Sequence, residues 1–184
     1  MTIAHQDDIY CPTYVEKLLK TVNSHQSPLI FFSDYGELRN DRPVDNSPLL
    51  EIKRKMLKPM LSPTKAESVF WKRNILRFGS PICCPSVTYN LDNLQKPIFE
   101  DDMKCSIDWE TWESISKHDG SFCYCPELLM YHRIHEDSET SKSIEANIRT
   151  KEDLEVLKRF WPSPIASLIN RFYTKSQQSN ETDK

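Results

Sequence analysis

The apolar positions near the start of the chain predict a helix followed by a strand. Between residues 14 and 22, apolar side chains recur at spacings of three and four, which predicts an amphipathic helix that ends near residues 24–26. Residues 29–32 are apolar and β-favouring, so we expect a buried strand there. The polar residues 33–36, which include Asp34, predict the turn that closes this strand, and residues 40–48 predict a loop.

Two further helical patterns occupy the middle of the chain. Residues 49–60 and 65–78 place apolar side chains on one side of a helix, with most of the basic residues 53–55 on the solvated side. Gly79 stands where a helix C-terminal cap is expected. Pro85 makes the next segment a poor central strand, so an edge strand or a loop beside a cleft is expected at residues 80–90.

The remaining pattern predicts two short strands and a helical end. Residues 122–125 are β-like, and residues 128–131 predict a strand that carries His132 to His135 at its end. Helices are expected at residues 143–160 and 162–173. The polar tail, residues 176–184, is expected to be disordered. This order of elements predicts an α/β fold with a helical C-terminal end.

The composition argues against a nucleic-acid-binding protein and against a secreted or membrane-spanning one. A chain of 184 residues with a net charge of -3 has no basic stripe for nucleic acid. Its six cysteines form no C-x-x-C pair, so free thiols in a reducing compartment are expected. No apolar stretch could form a signal peptide or a transmembrane segment. A cytoplasmic location follows as the expectation.

The acidic stretch near the start offers metal ligands. If a strand runs through it, His5 and Asp7 share one face and Asp8 points to the other. Mg²⁺ is commonly held by one or two carboxylates together with phosphates and water, which suits a nucleotide-diphosphate site. The three glycines cannot build a Gly-rich phosphate loop, which favours a metal. Alternatively, Asp8 only caps a turn before Pro12.

The later polar candidates also have two interpretations. Asp108 precedes a short helix, where capping alone contributes about 0.5–2 kcal/mol without any chemistry. The spacing between Trp109 and a second tryptophan in that helix, Trp112, is typical of residues that face a core. Alternation places His135 on the face of Arg133 and His132 on the opposite face, although a surface histidine is more often uncommitted than a ligand.

Three motifs in order are similar to a known family. The stretches Asp7-Asp8, Ile107-Asp108-Trp109 and His132-Arg133-Ile134-His135 resemble those of family 2 glycosyltransferases with the GT-A fold, over about residues 3–141. The resemblance implies a partial GT-A-like mixed sheet flanked by helices over residues 1–141. A helical segment, 142–175, and the tail, 176–184, would follow.

The resemblance also implies roles for individual residues. Asp7 and His135 would hold Mg²⁺ or Mn²⁺ on the donor diphosphate, and Asp108 would be the catalytic base. Residues 79–90 would line the acceptor side. Contacts to substrate are implied for His5, Asp8, Trp109, His132 and Arg133. Two positions depart from the family pattern, because His5 replaces its first Asp and Ile107 replaces the Glu before the base.

The expected activity is an inverting, metal-dependent transfer from a nucleotide-sugar donor to a saccharide or lipid-linked acceptor. A carboxylate can take the proton of the attacking hydroxyl, and a divalent ion can stabilise the departing diphosphate. Such a protein would act in the cytoplasm or peripherally at a membrane.

The start of the chain raises a further expectation. Family members carry a nucleotide-binding half before the acidic motif, which predicts a truncated enzyme, inactive alone, or half of a split enzyme completed by another chain. One rival function is a metal-dependent phosphoesterase that uses His5, Asp7, Asp34, His132 and His135. Another is a non-catalytic remnant that binds carbohydrate or a partner.

Overall fold

The computed structural model describes residues 1–96, 98–99, 102–134 and 139–182. Between residues 139 and 182, side chains are described for 147–174. His135, a predicted metal ligand, lies outside the described residues. The helices and strands are β1 (Ile9–Tyr10), α1 (Tyr14–Val22), β2 (Pro28–Arg39), β3 (Arg42–Val44), α2 (Pro48–Leu57), α3 (Pro63–Glu67), α4 (Val69–Leu76), β4 (Thr88–Tyr89), α5 (Ile107–Ile115), β5 (Ser121–Ile134), α6 (Glu139–Lys158) and α7 (Ser163–Thr182).

Within the described residues, one mixed sheet has the strand order β1-β5-β2-β3, with β4 paired to β2. The two long strands β2 and β5 run parallel, and β1 lies antiparallel to the end of β5, with Ile9 opposite Tyr131. Helices cover both faces of this sheet. The α/β class, with a mixed sheet flanked by helices and a helical C-terminal end, is therefore confirmed.

Alternating side chains of the two long strands build a core on each face. Phe32 and Tyr124 stack on the side where α4, α5, α6 and α7 pack, and the fully buried Trp112 belongs to that core. Phe31 and Cys123, one residue earlier on each strand, pack instead with α1. Burial on both faces explains why these strands read as continuous apolar runs.

Strand β2 does not end at the predicted turn. It continues through residues 33–36 to Arg39 because β5 pairs with it along most of its length, with Gly36 opposite Tyr131. Asp34 is therefore in mid-strand, and its Oδ2 accepts a hydrogen bond from Nε of Arg54 at 2.7 Å. Tertiary pairing outweighs the local turn preference of these polar residues.

The predicted loop after β2 contains a hairpin. Asn40 and Asp41 have φ angles of 50° and 60°, and Arg39 pairs with Arg42 across them. Positive φ at both central residues is typical of the two-residue turns that match the twist of antiparallel strands. This turn creates β3.

The predicted helices differ from the observed ones mainly at their ends. The pattern at residues 65–78 predicted one helix, but Ser68 has extended backbone (φ -74°, ψ 121°) and separates α3 from α4. Gly79 has a φ of 152°, which is not the left-handed geometry of a C-terminal cap. Helix α7 continues to Thr182 and so includes most of the tail predicted to be disordered; residues 183–184 lie outside the described residues.

The two predicted C-terminal strands are one strand. Strand β5 passes Pro126 by a shift in its register with β2 between Cys125 and Leu128. Such irregularities allow a proline, which lacks a backbone donor, inside a strand.

Crossing a bilayer requires a helix that is both long and apolar. In the part of the chain that the structure describes, no helix combines the length and apolar character needed to cross a membrane.

Candidate functional site

The carboxylate of Asp8 links the start of β1 to the end of β5. Its Oδ1 accepts the backbone N–H of Arg133 at 2.9 Å and lies 3.0 Å from Nδ1 of His132. The antiparallel pairing of β1 with β5 brings these residues together. Asp8 therefore does not cap helix α1, whose N-cap is Thr13.

His5 joins Asp8 because the chain turns between them. Gln6 and Asp7 form a turn rather than a strand, so the predicted alternation of faces is wrong. Nδ1 of His5 lies 3.7 Å from Oδ2 of Asp8, and the His5 and His132 rings are 6.2 Å apart. We call His5, Asp8 and His132 the His–Asp–His cluster, since ligand atoms of all three lie within 4.8 Å of one another.

This cluster has the chemistry of a cation site. The Asp8 side chain has 0% exposure, and its Oδ2 has no hydrogen-bond partner among the described residues. The His5 and His132 side chains are 43% and 33% exposed, so the cluster opens to solvent on the imidazole side. Two nitrogens and one carboxylate oxygen are suitable ligands for a divalent ion, with the open side left for water or substrate. The residues therefore fit a divalent cation, held by other side chains than the predicted Asp7 and His135.

Asp108 lies in a different pocket. It is the second residue of α5, and its Oδ1 accepts the backbone N–H of Trp109 at 2.7 Å. Burial raises the pKa of Asp108, and that backbone hydrogen bond together with Arg149 and Lys53 lowers it, with a net upward shift. A carboxyl with a raised pKa is a better proton acceptor than an ordinary aspartate.

The cavity beside Asp108 is small and polar. It has a volume of about 130 Å³, and its lining includes Lys53, Arg149 and Asp153. Asp153 is 3% exposed, and burial raises its pKa to about 6. Its Oδ1 accepts the hydroxyl of Ser106 at 2.7 Å, whereas Oδ2 has no hydrogen-bond partner among the described residues.

One acidic side chain orients the loop that leads to Asp108. The carboxylate of Glu152 on α6 accepts the backbone N–H groups of Lys104, Cys105 and Ser106 at 2.7–2.9 Å. These three amides directly precede α5, so α6 determines where that helix begins and hence where Asp108 lies.

The charges of both carboxylates, Asp8 and Asp108, influence one dipeptide, Cys83-Cys84. Burial raises the pKa of both the Cys83 and Cys84 thiols, and the negative charges of Asp8 and Asp108 raise each of them further. The hydroxyl of Tyr10 on β1 donates to the carbonyl of Pro85 at 2.5 Å, which holds this dipeptide beside the first pocket. Asp8 and Asp108 are therefore both close enough to Cys83 and Cys84 to perturb these thiols.

The structure places the other predicted site residues as follows. Asp7 is outside the His–Asp–His cluster, and its backbone carbonyl accepts Nε of Arg133 at 3.1 Å. Arg133 also pairs with Asp41. Trp109 is a core residue at 1% exposure whose indole N–H donates to the Leu76 carbonyl at 3.1 Å.

Sequence reasoning missed three polar residues at the Asp108 cavity. Lys53 belongs to a basic run that predicts a solvated face, yet its Nζ donates to the hydroxyl of Tyr35 at 2.9 Å. Arg149 and Asp153 lie on α6, where their spacing of four is ordinary for a helix surface. Of the predicted acceptor-side segment, Ser80 and Ile82 line this cavity.

The chain was compared with protein families, curated proteins and solved structures. Searches against protein-family models, curated proteins and solved structures find no match to the chain.

Proposed function

We propose that this chain is glycosyltransferase-like, with the diphosphate-side and acceptor-side residues of an inverting, metal-dependent sugar transfer on a partial GT-A-like fold. The observation that carries the proposal is that Asp8, in the His–Asp–His cluster, and Asp108 both lie close enough to one dipeptide, Cys83-Cys84, to perturb its thiols. Both Asp8 and Asp108 act on the thiols of Cys83 and Cys84. Transfer from a sugar nucleotide needs this juxtaposition, because the leaving diphosphate and the attacking hydroxyl meet at one carbon.

Asp108 is the residue proposed to act as base. It would accept the proton of the acceptor hydroxyl as that oxygen attacks the anomeric carbon. Arg149 and Lys53 favour the ionised carboxylate that this step requires. The raised pKa of Asp108 increases its affinity for the proton that it must take. The donor is a nucleotide sugar and the acceptor a saccharide or a lipid-linked saccharide.

The His–Asp–His cluster is proposed to face the donor diphosphate. A bound Mg²⁺ or Mn²⁺ would supply Lewis-acid stabilisation of the departing diphosphate. Asp8 and His132 are positioned for this role by strand pairing rather than by a flexible loop. Their preorganisation reduces the cost of ordering ligands when the donor binds.

The phosphoesterase alternative is less well supported. It requires Asp34 near the ion, but Asp34 is in mid-strand and is neutralised by Arg54 at 2.7 Å. It also gives no role to Asp108. A carbohydrate-binding role without catalysis is the outcome that the experiment below separates from transfer.

The first experiment measures release of nucleoside diphosphate from a panel of sugar nucleotides, with saccharide and lipid-linked acceptors and with Mg²⁺ or Mn²⁺. We expect release to depend on an acceptor and on the ion, and to be lost in Asp108→Asn. Asp92→Asn is the matched control, because Asp92 is exposed and belongs neither to the His–Asp–His cluster nor to the lining of the Asp108 cavity. Hydrolysis of a generic phosphoester that is lost in Asp34→Ala would instead support the phosphoesterase.

A second experiment uses inorganic pyrophosphate, which reproduces only the part of the donor that faces the ion. We expect calorimetric binding of pyrophosphate only when the divalent ion is present. Binding should be lost in Asp8→Asn and retained in Asp108→Asn. Equal pyrophosphate binding with and without the ion would overturn the proposed role of the His–Asp–His cluster. Saccharide binding without either pyrophosphate binding or transfer would identify a non-catalytic binding protein.

A further inference from the structure

We propose that the His–Asp–His cluster is a transition-metal site whose carboxylate ligand is Asp8 rather than Asp7, and that it prefers Mn²⁺, Co²⁺ or Zn²⁺ to Mg²⁺. The use of this ion in sugar transfer rests on the proposed function. Binding of the ion rests only on the geometry and chemistry of His5, Asp8 and His132.

Asp8 has a buried carboxylate oxygen without a hydrogen-bond partner among the described residues. Its side chain is fully buried, and the backbone N–H of Arg133 holds Oδ1 in place. Oδ2 points toward Nδ1 of His5 at 3.7 Å and has no hydrogen-bond partner among the described residues. A buried carboxylate oxygen without a partner is unfavourable. A cation between Oδ2 and the imidazole would satisfy it.

The two imidazoles lie close enough to Asp8 to share one ion with it. The ligand atoms of the cluster lie within 4.8 Å of one another, and metal–nitrogen bonds are about 2.0–2.1 Å long. A rotation of the half-exposed His5 ring is therefore enough to bring all three ligands onto one ion. His132 cannot move far, because strand β5 and Asp8 position it. The site is thus nearly formed before the ion binds.

The ligand types of the cluster favour particular ions. Mg²⁺ prefers oxygen ligands in a strict octahedron, whereas imidazole nitrogen suits first-row transition ions. The cluster supplies nitrogen at two of its three positions. The imidazoles of His5 and His132 therefore favour a first-row transition ion over Mg²⁺.

The experiment titrates the metal-free protein with each ion alone, followed by calorimetry for Mn²⁺, Zn²⁺ and Mg²⁺ and by visible absorption for Co²⁺. We expect one equivalent of each transition ion to bind, with affinity rising from Mn²⁺ to Co²⁺, and an about tenfold excess of Mg²⁺ should not displace Mn²⁺. Nitrogen ligation should give Co²⁺ absorption bands that differ from those of the aqueous ion. Mg²⁺ binding as tight as Mn²⁺ binding would overturn the proposal.

Variants assign the ligands. Asp8→Asn keeps an acceptor for the Arg133 amide but removes the charge, and we expect it to weaken Co²⁺ binding by about tenfold or more. Because Asp8 is buried and this variant could fail to fold, His5→Gln provides a second test at an exposed position. It should weaken binding and alter the Co²⁺ spectrum. Unchanged affinity in His5→Gln would contradict the proposed ligand set.

Two matched controls complete the design. Asp7→Asn tests the neighbouring carboxylate, and His25→Gln tests an imidazole that contacts the Thr21 carbonyl instead of the cluster. Both should bind Co²⁺ with wild-type affinity and spectrum. Loss of binding in Asp7→Asn with retention in Asp8→Asn would transfer the site to Asp7. Ion binding without sugar transfer would leave this inference intact and overturn only the proposed function.

Discussion

His132 and Asp8 are 124 positions apart in the chain, and Nδ1 of the imidazole lies 3.0 Å from Oδ1 of the carboxylate. The same oxygen accepts the backbone N–H of Arg133. The imidazole is therefore positioned by the pairing of β1 with β5, and not by a local motif. Any change that shifts these strands relative to each other should disturb the proposed ion site.

The pH dependence of sugar transfer should report the protonation of Asp108. A base acts in its ionised form, and burial raises the pKa of this carboxyl. The rate should therefore increase with pH until Asp108 has lost its proton. Asp108→Asn should lower the rate by about 10²–10⁴-fold and abolish this dependence. Steady-state rates across pH provide the measurement, and Asp92→Asn should keep the wild-type profile. A wild-type profile in Asp108→Asn would assign the base to another residue.

Asp153 should lower stability at neutral pH. Its pKa is about 6 in the folded protein, against 3.8 in the unfolded chain, because burial disfavours its charge. Between these values the folded state binds more protons, so its stability decreases as pH rises from about 4 to 6, and this loss persists at higher pH. We expect Asp153→Asn to be more stable than wild type at pH above 6 by about 1–3 kcal/mol.

Urea denaturation at acidic and neutral pH tests this expectation. Glu155→Gln is the matched control on the same helix, because Glu155 is exposed and pairs only with Lys158 in the described contacts. It should not change the pH dependence of the free energy of unfolding. If Asp153→Asn is less stable than wild type at neutral pH, the ionised carboxylate is stabilising and its pKa is not raised.

Glu113 should contribute strongly to stability. Its side chain has 0% exposure and accepts hydrogen bonds from Arg73 at 2.5 Å and from Lys117 at 2.8 Å, with Arg159 at 3.3 Å. Loss of one partner of a buried ion pair leaves uncompensated charge. Glu113→Gln should therefore lower the free energy of unfolding by about 3 kcal/mol. The measurement is denaturation in urea at neutral pH.

The control for Glu113 is the exposed ion pair on α6. Glu155 and Lys158 are 2.7 Å apart with both side chains in solvent, so Glu155→Gln should change stability by less than about 1 kcal/mol. The pH dependence of the free energy of unfolding in acid is a second test. Burial raises the pKa of Glu113, but hydrogen bonds from Lys117 and Arg73 lower it below its ordinary value of 4.5. The contribution of Glu113 is present above pH 4.5 and should be lost as pH falls through its lower folded pKa.

Gly36 should tolerate no side chain. A Cβ atom there would lie 2.7 Å from Cε1 of the Tyr131 ring and 3.1 Å from the backbone oxygen of Val44. Gly36→Ala should therefore cost about 1–3 kcal/mol through overpacking. Because Tyr131 precedes His132, the same change should weaken Co²⁺ binding. The measurements are urea denaturation and Co²⁺ titration.

A double-mutant cycle tests whether the ring is the cause. Tyr131→Leu removes the ring atoms that the new methyl group would meet, together with the hydrogen bond from Tyr131 to Asp45. The cost of Gly36→Ala should be smaller in the Tyr131→Leu background than in wild type. Equal costs in both backgrounds would show that the backbone oxygen of Val44, and not the ring, limits this position.

Local patterns predicted much of the secondary structure. Apolar spacing correctly predicted α1, and of the edge strand or loop expected around Pro85 the structure has a 3₁₀ turn, Cys84–Ser86, followed by the two-residue β4. The hairpin at Asn40 and Asp41 was missed, although asparagine and aspartate adopt positive φ more often than most residues. The continuation of β2 past Ser33 could not be predicted from its own residues, because the pairing with β5 outweighs their preference for turns.

The candidate site, like the secondary structure, could be predicted only in part from the sequence. The sequence by itself determined an α/β chain with His5, Asp8, Asp108 and His132 near the ends of its elements, because spacing and composition are local properties. Only the tertiary structure decided that His5 meets Asp8 through a turn and that Asp8 meets His132. These contacts depend on strand register between segments far apart in the chain. The two residues of β1 are too few to carry an alternating pattern that would specify their register with β5.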